Sequence, residues 1–434
     1  MKKLVRLMLI VLVISLLAAC AQPTAEPTAP LATKAPETKP VEETEAPVEE
    51  TEPVEEATEP VVEETEVVVE LTPAEQWAKD NGFGPYLSET EDWAAIEEAA
   101  KKEGKIVVYS NSSRIANLQE VWEAKYPDIV FEAYDLGTDG LVTKLREEQL
   151  AGIYNADIAM ASGPYMGFEF PDLQYVWKYI PPEYEAVIPD GSKDPIVTHS
   201  LEVYGWTYNS QLNEACPITN WWEPASEAWK GKVAINKDPV SSGSDMAMLA
   251  FMASHADEFA AAYQELYGAD WTTDPAYDPS CLDAGYLWLK KMAQNQMIAG
   301  GDEAWQVMGA PDLQENILGL FWYSKYREVK KGNAFFEPCV SLKPVIGVEK
   351  HNYLAVVNQA PHPNAAKLYF RFAMDTEGFG PWNQVGQRSP RTDLPPVDDY
   401  VPFLALPTWS LDEMFVYKET ETYKDFYLLQ LLGQ

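Results

Sequence analysis

The chain has 434 residues, with 68 Asp and Glu against 32 Lys and Arg, a formal net charge of −36. Such a surface disfavours nucleic acid and anionic membranes as partners and mildly favours a cationic or neutral ligand, although adaptation to salt or acid gives the same composition. Its four cysteines and four histidines are scattered without CxxC or His-ligand spacing, which argues against zinc and thiol catalysis.

Residues 1–20 read as an export signal. Lys2, Lys3 and Arg6 precede an apolar run over 7–19, short for a permanent membrane span. The run ends in Leu17-Ala18-Ala19-Cys20, which is similar to the bacterial lipoprotein cleavage box, where the cysteine is acylated and becomes the mature N-terminus. That likeness makes Cys20 the lipidation site. It places the protein outside the cytoplasm, anchored by its lipid to the outer face of the cell membrane. Residues 21–70 are built from Pro, Thr, Ala and Glu. They read as a disordered acidic linker that cannot build a core and whose carboxylates repel one another. A chain of that length averages at least ~35–40 Å end to end, so it acts as a tether.

Residues 71–434 exceed the usual size of one domain, so two lobes are expected. Residues 71–204 form the first part of lobe I, 205–344 mainly lobe II, and 345–434 a return crossing with C-terminal helices shared by the lobes. The stretch 71–87 reads as an N-terminal extension. Ser88-x-x-Glu91 is a capping-box pattern, opening a helix with Trp93, Ile96 and Ala100 that stops at Gly104. Strand 105–110 follows, then the turn Asn111-Ser112-Ser113 and a helix with Ile115, Leu118, Val121 and Trp122, ended by Tyr126-Pro127. Strand 129–134, a helix opened by Thr138 and strand 156–161 complete the block, which closes on Ser162-Gly163-Pro164. Strands alternating with helices imply a parallel sheet, whose ligands sit at the strand C-terminal ends. Ser110, Asn111, Ser112 and Ser162 are therefore the first binding candidates.

The segment 200–208 reads as a strand crossing between lobes, with Tyr208 near the hinge. Strand 233–235, the polar turn 238–244 and a helix with Met246, Met248, Leu249, Phe251 and Met252 repeat the opening pattern. Backbone N–H groups at such a helix start favour anionic or polar oxygen ligands. Ser241, Ser242, Gly243 and Ser244 are the candidates from this second lobe, with helix capping as the plainer account. A helix over 281–295, strands over 345–348 and 353–357, and a helix over 360–374 follow. His362, between prolines, is read as a turn residue. Arg388 and Arg391 are charge partners for an anionic solute, with salt bridging as the commoner role. Trp206, Trp221, Trp222 and Trp322 suit either stacking on a ring or core packing. Cys216, Cys281 and Cys339 allow one disulfide and one leftover thiol, with the pairing open.

Several pieces in order resemble the extracellular solute-binding proteins of bacterial ABC importers. They are Val107-Val108-Tyr109-Ser110 before a helix, Lys125-Tyr126-Pro127, 145–152 (LREEQLAG), Ala156-Asp157-Ile158, Tyr208-Asn209, Trp221-Trp222, 229–233 (WKGKV) and 362–367 (HPNAAK). The likeness is to the type II group that includes ferric-iron and related small-solute binders, and it covers most of 105–391. It implies an α/β, two-lobed type II periplasmic-binding-protein fold, each lobe a mainly parallel sheet flanked by helices, joined by a hinge. It further implies a monomer that closes on a small-molecule solute and docks on an ABC-transporter permease, with no catalysis and no cofactor. The adjacent tyrosines that iron binders use are interrupted here, at Trp322-Tyr323-Ser324-Lys325-Tyr326, which argues against ferric iron, and no metal-ligand residues are nominated. The alternatives are an exported hydrolase, although GxSxG, HExxH and GxGxxG are missing, and a sensory binding protein feeding a membrane receptor.

Overall fold

The computed structural model describes residues 70–301, 304–397 and 406–432. The signal segment 1–20 with its Cys20, and the linker as far as residue 69, lie outside the described residues. The stretch read as an extension forms a helix, Pro73–Asn81, opened by a Thr72/Glu75 capping box and closed by Gly82 at φ 70°. The next helix, Trp93–Glu103, is capped by Asp92, whose side chain accepts from Ala95 N at 3.1 Å. Ser88 does not cap it, because its hydroxyl turns to donate to Thr90 O. The expected box is thus replaced by an Asx cap four residues on.

The strands, in chain order, are β1 (Lys105–Ser110), β2 (Val130–Asp135), β3 (Ile158–Ser162), β4 (Val176–Trp177), β5 (Thr198–Asn209), β6 (Val233–Ile235), β7 (Ile298–Ala299), β8 (Leu318–Trp322), β9 (Phe336–Pro338), β10 (Gly347–Val357), β11 (Gln387–Arg388) and β12 (Thr408–Ser410). The two short runs expected at 345–348 and 353–357 are one strand, β10, because the polar residues between them stay paired to β5. The helix expected over 281–295 spans Ala284–Gln294, with Asp283 accepting from Tyr286 N. His362 is the N-cap residue of the helix Pro363–Ala373.

The main sheet runs β2-β1-β3-β10-β5-β8-β6-β7. The first three strands are parallel, as are β8, β6 and β7. Between these two groups, β10 and β5 run antiparallel to each other and to their outer neighbours. Two parallel α/β units are therefore joined through a pair of long crossing strands.

Residues of β1 alternate between two cores. Ile106 and Val108 pack with Trp122, Tyr369 and Phe372, whereas Val107 and Tyr109 pack with Leu141, Leu145 and Met166. Burial on both faces explains why β1 reads as a continuous apolar run. A third core lies among the later elements. It gathers Trp206, Trp221, Trp222, Phe259 and Trp288 with residues of the helix Gly243–Ala253 and of the C-terminal helix Glu413–Leu432. Gly285 is required there: a Cβ would meet Ala253 O at 1.7 Å, so only glycine lets the helix Ala284–Gln294 approach this closely.

Trp206, Trp221 and Trp222 are fully buried, so for these three packing is the observed role. Cys216 and Cys339 form a disulfide, and Cys281 is a buried free thiol whose pKa burial pushes up.

Candidate functional site

The end of β1 meets the crossing strands at a polar cavity. Ser110 is fully buried, and its Oγ accepts from Ser112 N at 3.1 Å. Ser112 Oγ in turn accepts from Arg114 N at 3.4 Å, opening a short helical turn over Ser113–Asn117. Asn111 Nδ2 donates to Thr138 Oγ1 at 3.2 Å and reaches Ser162 Oγ at 3.5 Å. The parallel pairing of β1 with β3 places these groups together.

Below this turn, three strands set three polar side chains in one row. Gln387 on β11 is opposite Glu202 on β5, and Glu202 is opposite Lys350 on β10. Directly opposed residues on antiparallel neighbours point to the same face. The row closes against the turn through Arg114, whose guanidinium donates to Gln387 Oε1. The space between them is about 170 Å³, lined by Ser110, Asn111, Ser112, Arg114, Glu202, Lys350 and Gln387, together with Met160, His199, Asn352, Tyr353 and Trp382.

Its electrostatics are set by desolvation. Glu202 is 9% exposed and its Oε1 has no partner. Lys350 does not pair with it: the ammonium lies 3.8 Å over the Trp322 ring instead. Burial holds the Lys350 ammonium below the usual lysine pKa, opposed by the negative Glu202, Glu413 and Asp245 around it. Burial also lowers Arg114, with Glu202 acting against the shift. Burial brings His199 down to about 4, so its ring is neutral at pH 7. Its Nε2 faces Ala373 O at 3.2 Å, and a carbonyl only accepts, so Nε2 carries the proton and Nδ1 is a bare acceptor without a protein partner.

The remaining sequence candidates are placed differently. Ser242 caps the helix Gly243–Ala253 and donates to Asp245 Oδ2 at 2.8 Å. Ser241, Gly243 and Ser244 are exposed and do not line the cavity. Ser242 is off the cavity too, and its partner Asp245 accepts from Tyr204 Oη at 3.2 Å on the crossing strand. Tyr208 is buried along β5 and also lies off the cavity, with burial and Glu337 raising its pKa. Arg388 donates to Glu349 Oε2 at 2.7 Å, and Arg391 holds Asp393 and Met374 O. Tyr323 and Tyr326 are fully buried, their hydroxyls donating to Trp206 O and to Glu337 Oε2. Among the described residues no group of three or more His, Cys, Asp or Glu is placed to hold a metal ion.

Glu202, Lys350, Arg114, His199 and Gln387 were not among the sequence candidates. The available signal was a charged residue inside an otherwise apolar crossing strand: Glu202 within 200–208, and Lys350 between two apolar runs.

Glu413, at the start of the C-terminal helix, adds a titratable neighbour. Burial raises its pKa to about 7, opposed by Lys350 and by the Tyr353 hydroxyl at 3.5 Å, and Asp412 adds to the rise. The folded state thus keeps the proton that the unfolded state, near 4.5, releases. Stability is then highest at low pH and falls as pH rises through about 4.5 to 7. Glu413→Gln, which carries no charge at either pH, is expected to melt about 2–4 °C above the parent at pH 8 and level with it at pH 5. A lower melting temperature at pH 8 would instead mean that the carboxylate supports Lys350 as an ion pair.

No family model and no curated protein matches the sequence. Solved structures do. Iron-bound HitA from Pseudomonas aeruginosa is similar at a TM-score of 0.57 and 14% identity, covering 75% of this chain and 99% of that one. Mannheimia haemolytica ferric iron-binding protein A, in an open conformation, gives 0.56 and 13%, over 76% and 99%. The periplasmic binding protein AfuA from Actinobacillus pleuropneumoniae, with exogenous fructose-6-phosphate bound, gives 0.52 and 16%, over 76% and 97%. The chain therefore has the two-lobed type II periplasmic-binding-protein fold, a mixed α/β architecture shared almost end to end with these proteins.

Proposed function

We propose that the protein captures a small solute between its lobes and delivers it to an ABC-transporter permease, as a monomeric lipoprotein held outside the cytoplasm by an acylated Cys20. The observation that carries this is the cavity at the crossing strands. The charged groups Arg114, Glu202 and Lys350 converge there without pairing to one another, where the first α/β unit meets the crossing strands, in a fold whose solved neighbours bind iron or a sugar phosphate. A solute that touches groups from both units only when they close would draw the open–closed equilibrium towards closure with its own binding energy. The lipoprotein signal and acidic linker suit the same role, keeping the body close to a membrane partner while leaving it free to turn. No helix among the described residues is long and apolar enough to cross a membrane.

The test is a thermal-shift screen of the purified mature chain against inorganic anions, sugar phosphates, small organic acids, amino acids, polyamines and ferric ion. A ligand selective for the native state raises the melting temperature, by about 2.7 kcal/mol of stabilisation at one hundred times its Kd. One solute class is expected to do so. Hydrolysis of a polymer with no shift from any solute would overturn the reading.

A further inference from the structure

We propose that this cavity takes a small carboxylate bearing a hydrogen-bond donor on the adjacent carbon: an α-hydroxy or α-amino acid of two to four carbons. The inference rests on the binding reading above and specifies its ligand.

Three charged groups line the space: Arg114, Lys350 and Glu202. None of them forms an ion pair within 4.0 Å among the described residues. Arg114 is turned to Gln387 and Lys350 to the face of Trp322. Glu202, more than nine-tenths buried, is left with an unpartnered Oε1 although its cross-strand neighbour is a lysine. A buried carboxylate without a partner is costly, and a donor that reaches it removes the cost. An approaching ligand therefore meets two cations that want an anion and, within the same wall, a carboxylate that wants a proton donor. A simple anion satisfies the first and is repelled by Glu202. A simple cation satisfies Glu202 and is repelled by Arg114 and Lys350. A molecule with a carboxylate beside a hydroxyl or ammonium satisfies all three.

Size points the same way. The cavity measures about 170 Å³. That matches glycolate, lactate, glycine or alanine and falls short of the ~300–1,000 Å³ of sites for drug-sized ligands. The bare Nδ1 of His199 leaves a further acceptor for the same small molecule.

The experiment is isothermal titration of the mature chain with L-lactate, L-alanine, propionate and inorganic phosphate. Propionate keeps the carboxylate and size of lactate and alanine but lacks the donor. Lactate or alanine is expected to bind at least about tenfold more tightly than propionate, because a hydrogen bond to a charged group is at stake. Glu202→Gln separates the two sources of donor. An amide still accepts from a hydroxyl, so lactate affinity should fall less than about tenfold, whereas an ammonium loses its counter-charge and alanine affinity should fall by more. Equal binding of propionate, or binding of phosphate alone, overturns the inference. If sugar phosphate, polyamine or ferric ion binds and neither acid does, only this inference falls. If no solute of any class binds, the binding-protein reading falls with it.

Discussion

Replacing Asp157 with alanine is expected to cost about 3–5 kcal/mol of folding stability. Asp157 is fully buried, yet every direction around it is used. Its Oδ2 accepts from Val107 N at 2.8 Å, its Oδ1 from His362 N at 2.8 Å, and the His362 ring sits 2.9 Å from Oδ2. Its backbone is bonded to Val107 O and Val357 N. Its carboxylate thus ties β1 to the start of the helix Pro363–Ala373, which carries much of the first core, while its backbone holds the approach to β3 between β1 and β10. Alanine would leave the buried Val107 N–H and the half-buried His362 N–H without acceptors. The side chain of His362 makes the effect depend on pH. Its pKa is raised, first by the hydrogen bond to Asp157 and then by its charge. A raised histidine pKa adds stability that is full below the unfolded value near 6.5 and fades as pH rises through the folded one. Urea unfolding at pH 6 and pH 8.5 should therefore show a gap between parent and variant that is large at both and larger at pH 6. A loss under about 1 kcal/mol would show that the carboxylate is not the anchor described.

The disulfide carries the second large effect. Cys216 and Cys339 are 123 residues apart, with Cα atoms at 5.2 Å. Cross-linking so long a loop removes much freedom from the unfolded chain, by as much as ~4.7 kcal/mol for a loop of about 100 residues in the chain-entropy account. Cys339 is fully buried and its N–H bonds to Trp206 O at 2.8 Å, so the link also pins the tryptophan core to β5. The Cys216→Ser/Cys339→Ser double variant is expected to lose about 2–5 kcal/mol in guanidinium unfolding. Reductant should lower the parent's midpoint towards that of the variant and leave the variant where it is. A parent midpoint indifferent to reductant would mean the bridge contributes nothing. Cys281 should stay unmodified by thiol reagents in the folded state, since it is buried and its thiolate is disfavoured.

The opening α/β block could be read from the sequence because its signals are local. Apolar runs of strand length, helix-spaced residues such as Leu141, Val142 and Leu145, and breakers at Gly104 and Pro127 each act over a few residues. The cap falls at Asp92 and not at Ser88 because two acceptable cap residues lie four apart, and the Ser88 hydroxyl is engaged with Thr90 O. β10 looked like two strands because its polar middle imitates a turn, whereas the pairing that keeps it extended comes from β5. The cavity divides along the same line. Its roof, Ser110 to Ser112, follows from the rule that strand ends carry ligands in parallel sheets. Its floor is a row of Gln387, Glu202 and Lys350, drawn from three distant parts of the chain by strand register. No local pattern announces that row. The serines at 241–244 fit the same strand–turn–helix rule, and the structure sets all of them outside the cavity.

Along β10 the pairing with β5 slips in register between Asn352 and Tyr353, where the strand passes to β3. Asn352 and Tyr353 also line the cavity, one turn of the pleat from Lys350. The irregularity in the crossing pair therefore falls among the residues that line the cavity. In a carrier of the proposed kind, tightness and residence time then share one set of side chains. If the jaws hinge at that slip, a substitution at Asn352 alters how fast they part as well as how firmly they hold, and selection for a tighter grip slows the hand-over that the grip serves.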